Sequence, residues 1–221
     1  MHETKDNQFV VIHDETLQKL AGKDKRPKEL TLAQLTKLKV YENGYQAKVA
    51  SLDQYLQMAN KLHQKLLIEI KTTPQDSKNC LRNFNNKYAR TILKNKDLVQ
   101  SLDYHVIEKI HDLNPKIPIL YLQPYNFSKP IDLTNGYAME YSTVNNHFTR
   151  QAHKQGKIVF VWTLNSATAI KKALSVHADG IITDNLSLAK KTIRQYQREY
   201  SYTHLIKNYL LVEPAQLDFL V

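Results

Sequence analysis

Short apolar segments alternate along the chain with longer segments in which apolar residues recur at helical spacing. The apolar segments are rich in β-branched residues, as in a sheet buried on both faces, and predict strands at Phe9–Ile12, Leu66–Lys71, Leu98–Leu102, Ile117–Leu122, Tyr137–Ser142, Ile158–Thr163 and Gly180–Thr183. The segments between them predict helices at Leu32–Leu38, Ser51–Leu62, Asn79–Leu93, His105–Leu113, Phe148–Lys154, Ala167–Leu174 and Leu186–Tyr200. Ser51 and Ser166 precede helical patterns and are predicted N-caps.

This alternation predicts a parallel sheet, either open and doubly wound or closed into a TIM-type (β/α)8 barrel. No glycine-rich loop follows a predicted strand and the chain has only five glycines, which disfavours the nucleotide-binding doubly wound fold. The length of 221 residues suits one large domain. We place this domain at residues 1–200 and a C-terminal tail at residues 201–221.

The composition favours anionic partners, because 31 basic and 21 acidic residues give a net charge of +10. A solvated basic surface is an equally open interpretation. No nucleic-acid motif accompanies the charge, so we expect no nucleic-acid partner. The single cysteine, Cys80, excludes an internal disulfide. With no signal peptide and no long apolar run, the chain is expected to be cytoplasmic, or membrane-associated through an upstream segment.

The segment Leu66–Lys71 places two opposite charges on one face of a strand. Because strand side chains alternate, Glu69 and Lys71 share the face opposite to Ile68 and Ile70. In a barrel the apolar face would pack on the outer helices, and the charged face would point inward at the carboxyl end of the strand, where barrel enzymes hold their active sites. Buried charges need a partner, ligand or metal, and a structural ion pair is the alternative interpretation.

Polar residues also end the other predicted strands, which predicts a polar pocket at one rim of the sheet. His13 and Asp14 close the first strand, and Trp162 provides an aromatic wall. A lone histidine at a strand end is more often structural than catalytic. His13 is therefore a candidate catalytic residue only because of the residues around it. Asp103 and Asn165 are equally explained as N-caps of the helices that follow them.

Together these segments resemble the glycerophosphodiester phosphodiesterase family of metal-dependent barrels. The matching segments, with the family pattern in parentheses, are Glu3–Asp14 (T-K-D-x-x-x-V-V-x-H-D), Leu30–Leu35 (L-T-x-x-E-L), Val49–Leu56 (P-T-L-E-E-x-L), Ile68–Lys71 (I-E-I-K), Gln100–Asp103 (Q-S-F-D), Val161–Asn165 (V-W-T-V-N) and Asp179–Asp184 (D-G-I-I-T-D). Gln34 replaces the usual glutamate of the second pattern. Each match is weak alone, but their common order makes the resemblance specific.

The resemblance implies roles for four residues. His13 holds the position of a general acid/base, Glu69 that of a metal ligand, Lys71 that of a phosphodiester-binding cation, and Trp162 that of a residue lining the substrate cleft. The implied reaction is hydrolysis of a glycerophosphodiester to glycerol 3-phosphate and an alcohol. Hard oxygen ligands imply Mg²⁺ or Ca²⁺ as the cofactor.

The resemblance also implies that segments of the family pattern are missing. The family begins with a His-Arg-Gly strand and an E-x-D pair, which hold a second histidine, an arginine and two metal-binding carboxylates, and neither motif occurs here. We therefore expect a barrel lacking its first two strands, a fragment that is weakly active or inactive alone, with a possible dimer or an upstream membrane domain. The alternative is a non-catalytic remnant that binds phosphate-bearing ligands or a partner chain.

Overall fold

The computed structural model describes residues 1–42, 44–125 and 132–210, with the side chains of residues 42 and 201–210 excepted. The chain forms two compact units. The first holds residues 1–123 and 132–138, and the second holds residues 124–125 and 139–210.

The strands are β1 His2–Glu3, β2 Phe9–Val11, β3 Lys39–Glu42, β4 Tyr45–Lys48, β5 Ala50–Ser51, β6 Leu67–Glu69, β7 Leu98–Ser101, β8 Ile119–Gln123, β9 Gly136–Glu140, β10 Ile158–Trp162 and β11 Gly180–Ile181. The α-helices are α1 Gln18–Ala21, α2 Leu32–Leu35, α3 Leu52–Lys61, α4 Cys80–Asn95, α5 Tyr104–Leu113, α6 Asn146–Lys154, α7 Ala167–Ser175 and α8 Leu186–Leu210, and a 3-10 turn covers Pro27–Glu29.

The principal sheet has six strands in the order β11-β10-β9-β8-β7-β6. Its neighbouring strands pair in parallel: Glu69 of β6 lies opposite Gln100 of β7, and Val99 of β7 lies opposite Ile119 of β8. A helix lies between successive strands of this sheet in every connection except that from β8 to β9, where none is assigned among the described residues. This βα alternation around a parallel sheet is the TIM-type barrel class that the sequence predicts.

The apolar face of β6 packs on helices, as the alternation predicts. Ile68 and Ile70 are buried in one cluster with Phe84, Tyr88 and Ile92 of α4. The other face of the strand therefore carries Leu67, Glu69 and Lys71.

Two antiparallel elements precede the principal sheet. β1, β2 and β5 form a small sheet, and β3 and β4 form a hairpin. Phe9 of β2 anchors the small sheet, because its ring makes edge contacts with Phe84 and Tyr88 at centroid distances of 5.8 and 5.7 Å. The backbone of Met1 lies along β6, where its carbonyl accepts a hydrogen bond from the amide of Lys71 at 3.1 Å. These contacts place the end of β2 beside the end of β6.

Aspartates satisfy the amides at the beginning of two strands. In the first unit, Asp97 accepts a hydrogen bond from the amide of Leu66 at 2.8 Å. In the second unit, Asp179 accepts from the amide of Val159 at 2.7 Å and also contacts His153 Nε2 at 2.8 Å. A buried amide without a partner is costly, so these carboxylates stabilise strand ends that the ladder leaves open.

Every predicted strand and helix is present, with bounds that differ by a few residues except at the end of α8, which continues from the predicted Tyr200 to Leu210. Ser51 and Ser166 cap α3 and α7 as predicted, with side chains that accept from the amides of Gln54 and Ala169. The short strands β1, β3, β4 and β5 were not predicted. The residues of β4 are all exposed, so this strand lacks the apolar alternation that identifies a half-buried strand.

Helix α8 continues to Leu210 and so crosses the predicted boundary at residue 200. The last part of the predicted tail, residues 211–221, lies outside the described residues, and the division into 1–200 and 201–221 stays a prediction. In the part of the chain described here, no helix has both the length and the apolar character needed to cross a membrane.

Candidate functional site

The end of β6 brings together three of the residues singled out from the sequence. Lys71 Nζ donates a hydrogen bond to the carbonyl oxygen of His13 at 2.8 Å, and it lies 3.6 Å from Glu69 Oε1. The Glu69 and Lys71 side chains are about one-fifth exposed. The two charges therefore form the ion pair that was the alternative interpretation of their position. Both side chains nevertheless remain accessible to a ligand.

His13 lies just beyond β2 and projects into solvent, with 80% of its side chain exposed. Its Nδ1 is 2.7 Å from Asp14 Oδ1. This hydrogen bond holds the pKa of the Asp14 carboxyl below its usual range. When Nδ1 donates to Asp14, Nε2 is left as the proton acceptor of the neutral ring.

A cavity of about 430 Å³ opens over these residues. It is lined by side chains and backbone from the ends of β2, β6 and β7, including His2, His13, Glu69, Lys71, Ser101 and Asp103. A second, more apolar cavity of about 220 Å³ shares His13, Glu69 and Lys71, and Tyr55 and Leu67 help to line it. The site thus offers a charged floor beside an apolar wall.

Two polar residues at the end of β7 have structural partners. Ser101 Oγ donates to the carbonyl of Ile70 at 2.7 Å, which ties the ends of β6 and β7 together. Asp103 caps α5 by accepting from the amide of His105 at 2.9 Å, as its alternative interpretation predicts, and it also accepts from Thr72 Oγ1 at 3.1 Å.

His2 and Gln100 belong to this region but were given no role from the sequence. His2 is buried, lines the larger cavity, and its Nε2 lies 3.4 Å from the carbonyl of His13. Burial lowers the pKa of His2 to about 4. Gln100 is buried opposite Glu69 in the ladder, and its Oε1 has no hydrogen-bond partner among the described residues. Gln100 received no role because its pairing with Glu69 was not considered from the sequence. His2 received none because β1, with two residues, is too short to show an alternation of apolar and polar positions.

Trp162 ends β10 in the second unit, where it is half-buried and its carbonyl accepts from the amide of Tyr141 at 3.0 Å. In the same unit, Asn165 Oδ1 accepts from the amide of Asp184 at 3.0 Å and Nδ2 donates to Asp184 Oδ2 at 2.8 Å. Asn165 therefore joins the loops that contain Asn165 and Asp184. The N-cap of α7 is Ser166 and not Asn165, for which this position was also considered.

The described residues contain no group of three histidine, cysteine, aspartate or glutamate side chains that could hold a metal ion. Glu69 offers hard carboxylate oxygens of the type that Mg²⁺ and Ca²⁺ prefer, but these ions take about six or more oxygen ligands. The donor set around Glu69 is thus incomplete for a bound divalent cation, and the choice between Mg²⁺ and Ca²⁺ stays a prediction.

The sequence of the chain matches a known protein family. The family model described as "Glycerophosphoryl diester phosphodiesterase family" matches residues 1–188. The Bacillus subtilis (strain 168) protein YhdW, named as a glycerophosphodiester phosphodiesterase, is 26% identical over 195 residues, which cover 82% of this chain and 79% of that protein.

Two solved structures show the same fold. One is named as a glycerophosphoryl diester phosphodiesterase from Silicibacter pomeroyi, with a TM-score of 0.77 and 17% identity over 87% of this chain and 81% of that one. The other is an Oleispira antarctica phosphodiesterase in complex with the product sn-glycerol-3-phosphate, with a TM-score of 0.74 and 17% identity over 87% of this chain and 82% of that one.

Proposed function

Because the chain belongs to the glycerophosphoryl diester phosphodiesterase family, whose members are phosphoric diester hydrolases acting on glycerophosphodiesters, we propose that it hydrolyses such a diester to glycerol 3-phosphate and an alcohol. The proposed site is the cavity at the ends of β2 and β6. The curated relative named as a glycerophosphodiester phosphodiesterase and the neighbour with bound sn-glycerol-3-phosphate support this substrate class.

The observation that carries the proposal is the position of Lys71. Its ammonium group lies in the cavity between the His13 carbonyl and the Glu69 carboxylate. A partly exposed cation held on two sides can contact a phosphodiester anion without a large rearrangement. Such a contact is strengthened as negative charge builds on the phosphoryl oxygens in the transition state.

We assign the proton transfer to His13. In hydrolysis, an oxygen of water bonds to phosphorus while the bond from phosphorus to the alcohol oxygen breaks, and one proton passes from the water to the leaving alkoxide. With its Nδ1 held by Asp14, the imidazole of His13 has Nε2 available for one of these transfers. Asp14 acts as a positioning residue for the ring.

Glu69 positions the ammonium group of Lys71 at 3.6 Å. The family resemblance also makes Glu69 one ligand of Mg²⁺ or Ca²⁺, but its surroundings do not complete a ligand set in the described residues, so no step here depends on the metal. By the same family resemblance, Trp162 is a proposed substrate contact. This residue ends β10 in the second unit. With an incomplete metal site, the activity of this chain is expected to be weak.

The test is turnover of glycerophosphocholine by the purified chain with Mg²⁺ or Ca²⁺, followed as release of glycerol 3-phosphate. His13→Ala and Glu69→Ala are each expected to lower kcat/KM by about a hundredfold, the scale of a general acid/base or electrostatic contribution. His147→Ala, an exposed histidine on α6, is the control and should retain activity. Turnover that survives His13→Ala and Glu69→Ala contradicts the site.

A chain that binds glycerol 3-phosphate through Lys71 without any turnover would instead support the alternative of a non-catalytic protein that binds phosphate-bearing ligands. The incomplete donor set around Glu69 favours this alternative. Binding can be measured by titration calorimetry on the wild-type chain and Lys71→Met, so the two functions give different results in the same pair of proteins.

A further inference from the structure

A separate cavity of about 490 Å³ lies beside the proposed site in the first unit. It is formed by the segment that follows β6, by the beginning of α4 and by the beginning of α5. Thr72 and Asp103 line both this cavity and the proposed site. These two side chains are hydrogen bonded to each other at 3.1 Å, so a thin polar partition separates two adjacent cavities.

Three cations lie in the lining of this separate cavity. Lys78, Arg82 and Lys109 all line it, together with His105. In the described part of the chain, the side chains of Lys78, Arg82 and Lys109 take part in no hydrogen bond or ion pair. Three unpaired cations at the wall of one cavity leave a local positive potential that attracts an anion.

The two carboxylates at the cavity offset part of this positive charge, but neither forms an ion pair with Lys78, Arg82 or Lys109, so three cations still face two carboxylates. Asp76 accepts from the amide of Thr73 at 2.8 Å and from its hydroxyl at 3.2 Å. Asp103 accepts from Thr72 and from the amide of His105. Both carboxylates are therefore engaged in local hydrogen bonds that shape the loops.

The first turn of α4 adds to the positive field at the same place. The helix begins at Cys80, and its N-cap residue, Asn79, makes no side-chain cap hydrogen bond. The partial positive charge of a helix N-terminus favours a nearby anion. This contribution is secondary to that of the three cations, which carry full charges.

We propose that this cavity of about 490 Å³, which we call the anion subsite, binds an additional negatively charged group on the alcohol moiety of the substrate. The preferred substrates would then be glycerophosphodiesters whose alcohol carries a second phosphate, rather than those with a neutral or cationic alcohol. This inference rests on the proposed function, because Lys71 must hold the scissile diester. Thr72, which follows Lys71 directly, forms part of the wall between the two positions.

The test compares two diesters that differ by one glycerophosphoryl unit, which carries one negative charge. Glycerophosphoglycerol has a neutral alcohol, whereas bis(glycerophospho)glycerol has a second phosphate within the alcohol moiety. The wild-type chain is expected to show a kcat/KM about tenfold higher for the second diester, the scale of one or two charge-assisted contacts. Lys78→Gln with Arg82→Gln should abolish this preference and leave glycerophosphoglycerol turnover unchanged.

A matched control removes one lysine and one arginine from α4 outside the subsite. Arg90 and Lys94 are exposed near the end of α4, so Arg90→Gln with Lys94→Gln should retain the preference. A preference that is absent in the wild type, that survives Lys78→Gln with Arg82→Gln, or that is lost equally in the control overturns the proposal.

Direct binding separates this proposal from the proposed function. If the chain hydrolyses neither diester, the proposed function fails, and calorimetric titration with both diesters then decides the subsite alone. Tighter binding of bis(glycerophospho)glycerol that depends on Lys78 and Arg82 supports it, and equal binding overturns it. A titration with inorganic phosphate tests whether the subsite binds free phosphate instead of a phosphate on the substrate. Phosphate binding that depends on Lys78 and Arg82, without any preference between the two diesters, overturns the substrate assignment.

Discussion

Glu3 and Ser77 lie 74 residues apart and are joined by two hydrogen bonds of 2.7 Å, from the amide and the hydroxyl of Ser77 to the two carboxylate oxygens of Glu3. The Glu3 side chain is fully buried and also pairs with Lys28. These contacts hold the segment after β6 against the β1–β2 hairpin. The same hairpin leads to His13 and the same segment follows Lys71, so the buried Glu3 carboxylate positions both sides of the proposed site.

Replacing Glu3 with alanine should destabilise the fold strongly. The substitution leaves Lys28 without its buried partner and Ser77 without its acceptors, and loss of one member of a buried pair typically costs about 3 to 5 kcal/mol. Urea unfolding followed by circular dichroism measures the change. Glu108→Ala, which removes an exposed glutamate from α5, should change the free energy of unfolding by less than about 0.5 kcal/mol. Equal effects of the two substitutions would contradict the role of the pair.

Replacing Lys71 with methionine should lower kcat/KM by about a hundredfold or more, because a preorganised cation at the phosphoryl group is lost. Lys71→Arg should recover only part of the activity, since the guanidinium does not reproduce the geometry of an ammonium held at 2.8 Å from the His13 carbonyl. Lys65→Met, an exposed lysine just before β6, is the control. Full activity in Lys71→Met would rule out a direct contact with substrate.

Asp14→Asn should lower kcat by about tenfold and leave KM nearly unchanged. The uncharged side-chain oxygen of asparagine accepts a weaker hydrogen bond from Nδ1–H of His13 than the carboxylate does. The His13 ring is therefore less well oriented for proton transfer. Steady-state kinetics on glycerophosphocholine separate the two constants. A change in KM alone would mean that Asp14 affects binding and does not position His13.

Acidification should destabilise the fold through His2. Its pKa is lowered by burial from 6.5 to about 4, so between these values the unfolded chain binds more protons than the folded one. Stability is therefore fully present above about pH 6.5 and falls as the pH decreases towards 4, by about 1 to 3 kcal/mol from this residue. Urea midpoints at pH 7 and pH 5 measure the loss. His2→Gln should reduce the difference between the two pH values, whereas the exposed His147→Gln should preserve it.

Gly180→Ala should destabilise the second unit. A Cβ at Gly180 would lie 2.7 Å from Cδ1 and Cε1 of the Phe160 ring, closer than packed carbon atoms approach. Overpacking of this kind costs about 1 to 3 kcal/mol. The double variant Gly180→Ala with Phe160→Leu should recover part of the loss in a urea unfolding experiment. Failure of the smaller side chain to restore stability would locate the cause in the backbone instead.

Two features of the sequence alone determined the fold: the family resemblance selected the barrel from the two parallel-sheet folds that the pattern allows, and the hydrophobic pattern itself determined the α/β class and the order of strands and helices. Local periodicity carries this information, because a strand buried on both faces and an amphipathic helix each impose a repeat on the residues that form them. The same alternation identified Glu69 and Lys71 as neighbours on one face of β6, and the ordered motifs identified the family.

The tertiary structure decided which of these residues meet. The contact between Lys71 and His13, 58 residues apart, and the burial of Glu3 by Ser77 and Lys28 depend on how the hairpin packs on β6. The cations Lys78, Arg82 and Lys109 come from two helices and the loop before one of them, and each looks like an ordinary surface charge in the sequence. Long-range packing brings such groups together, and no local repeat records it, so the anion subsite became visible only in three dimensions.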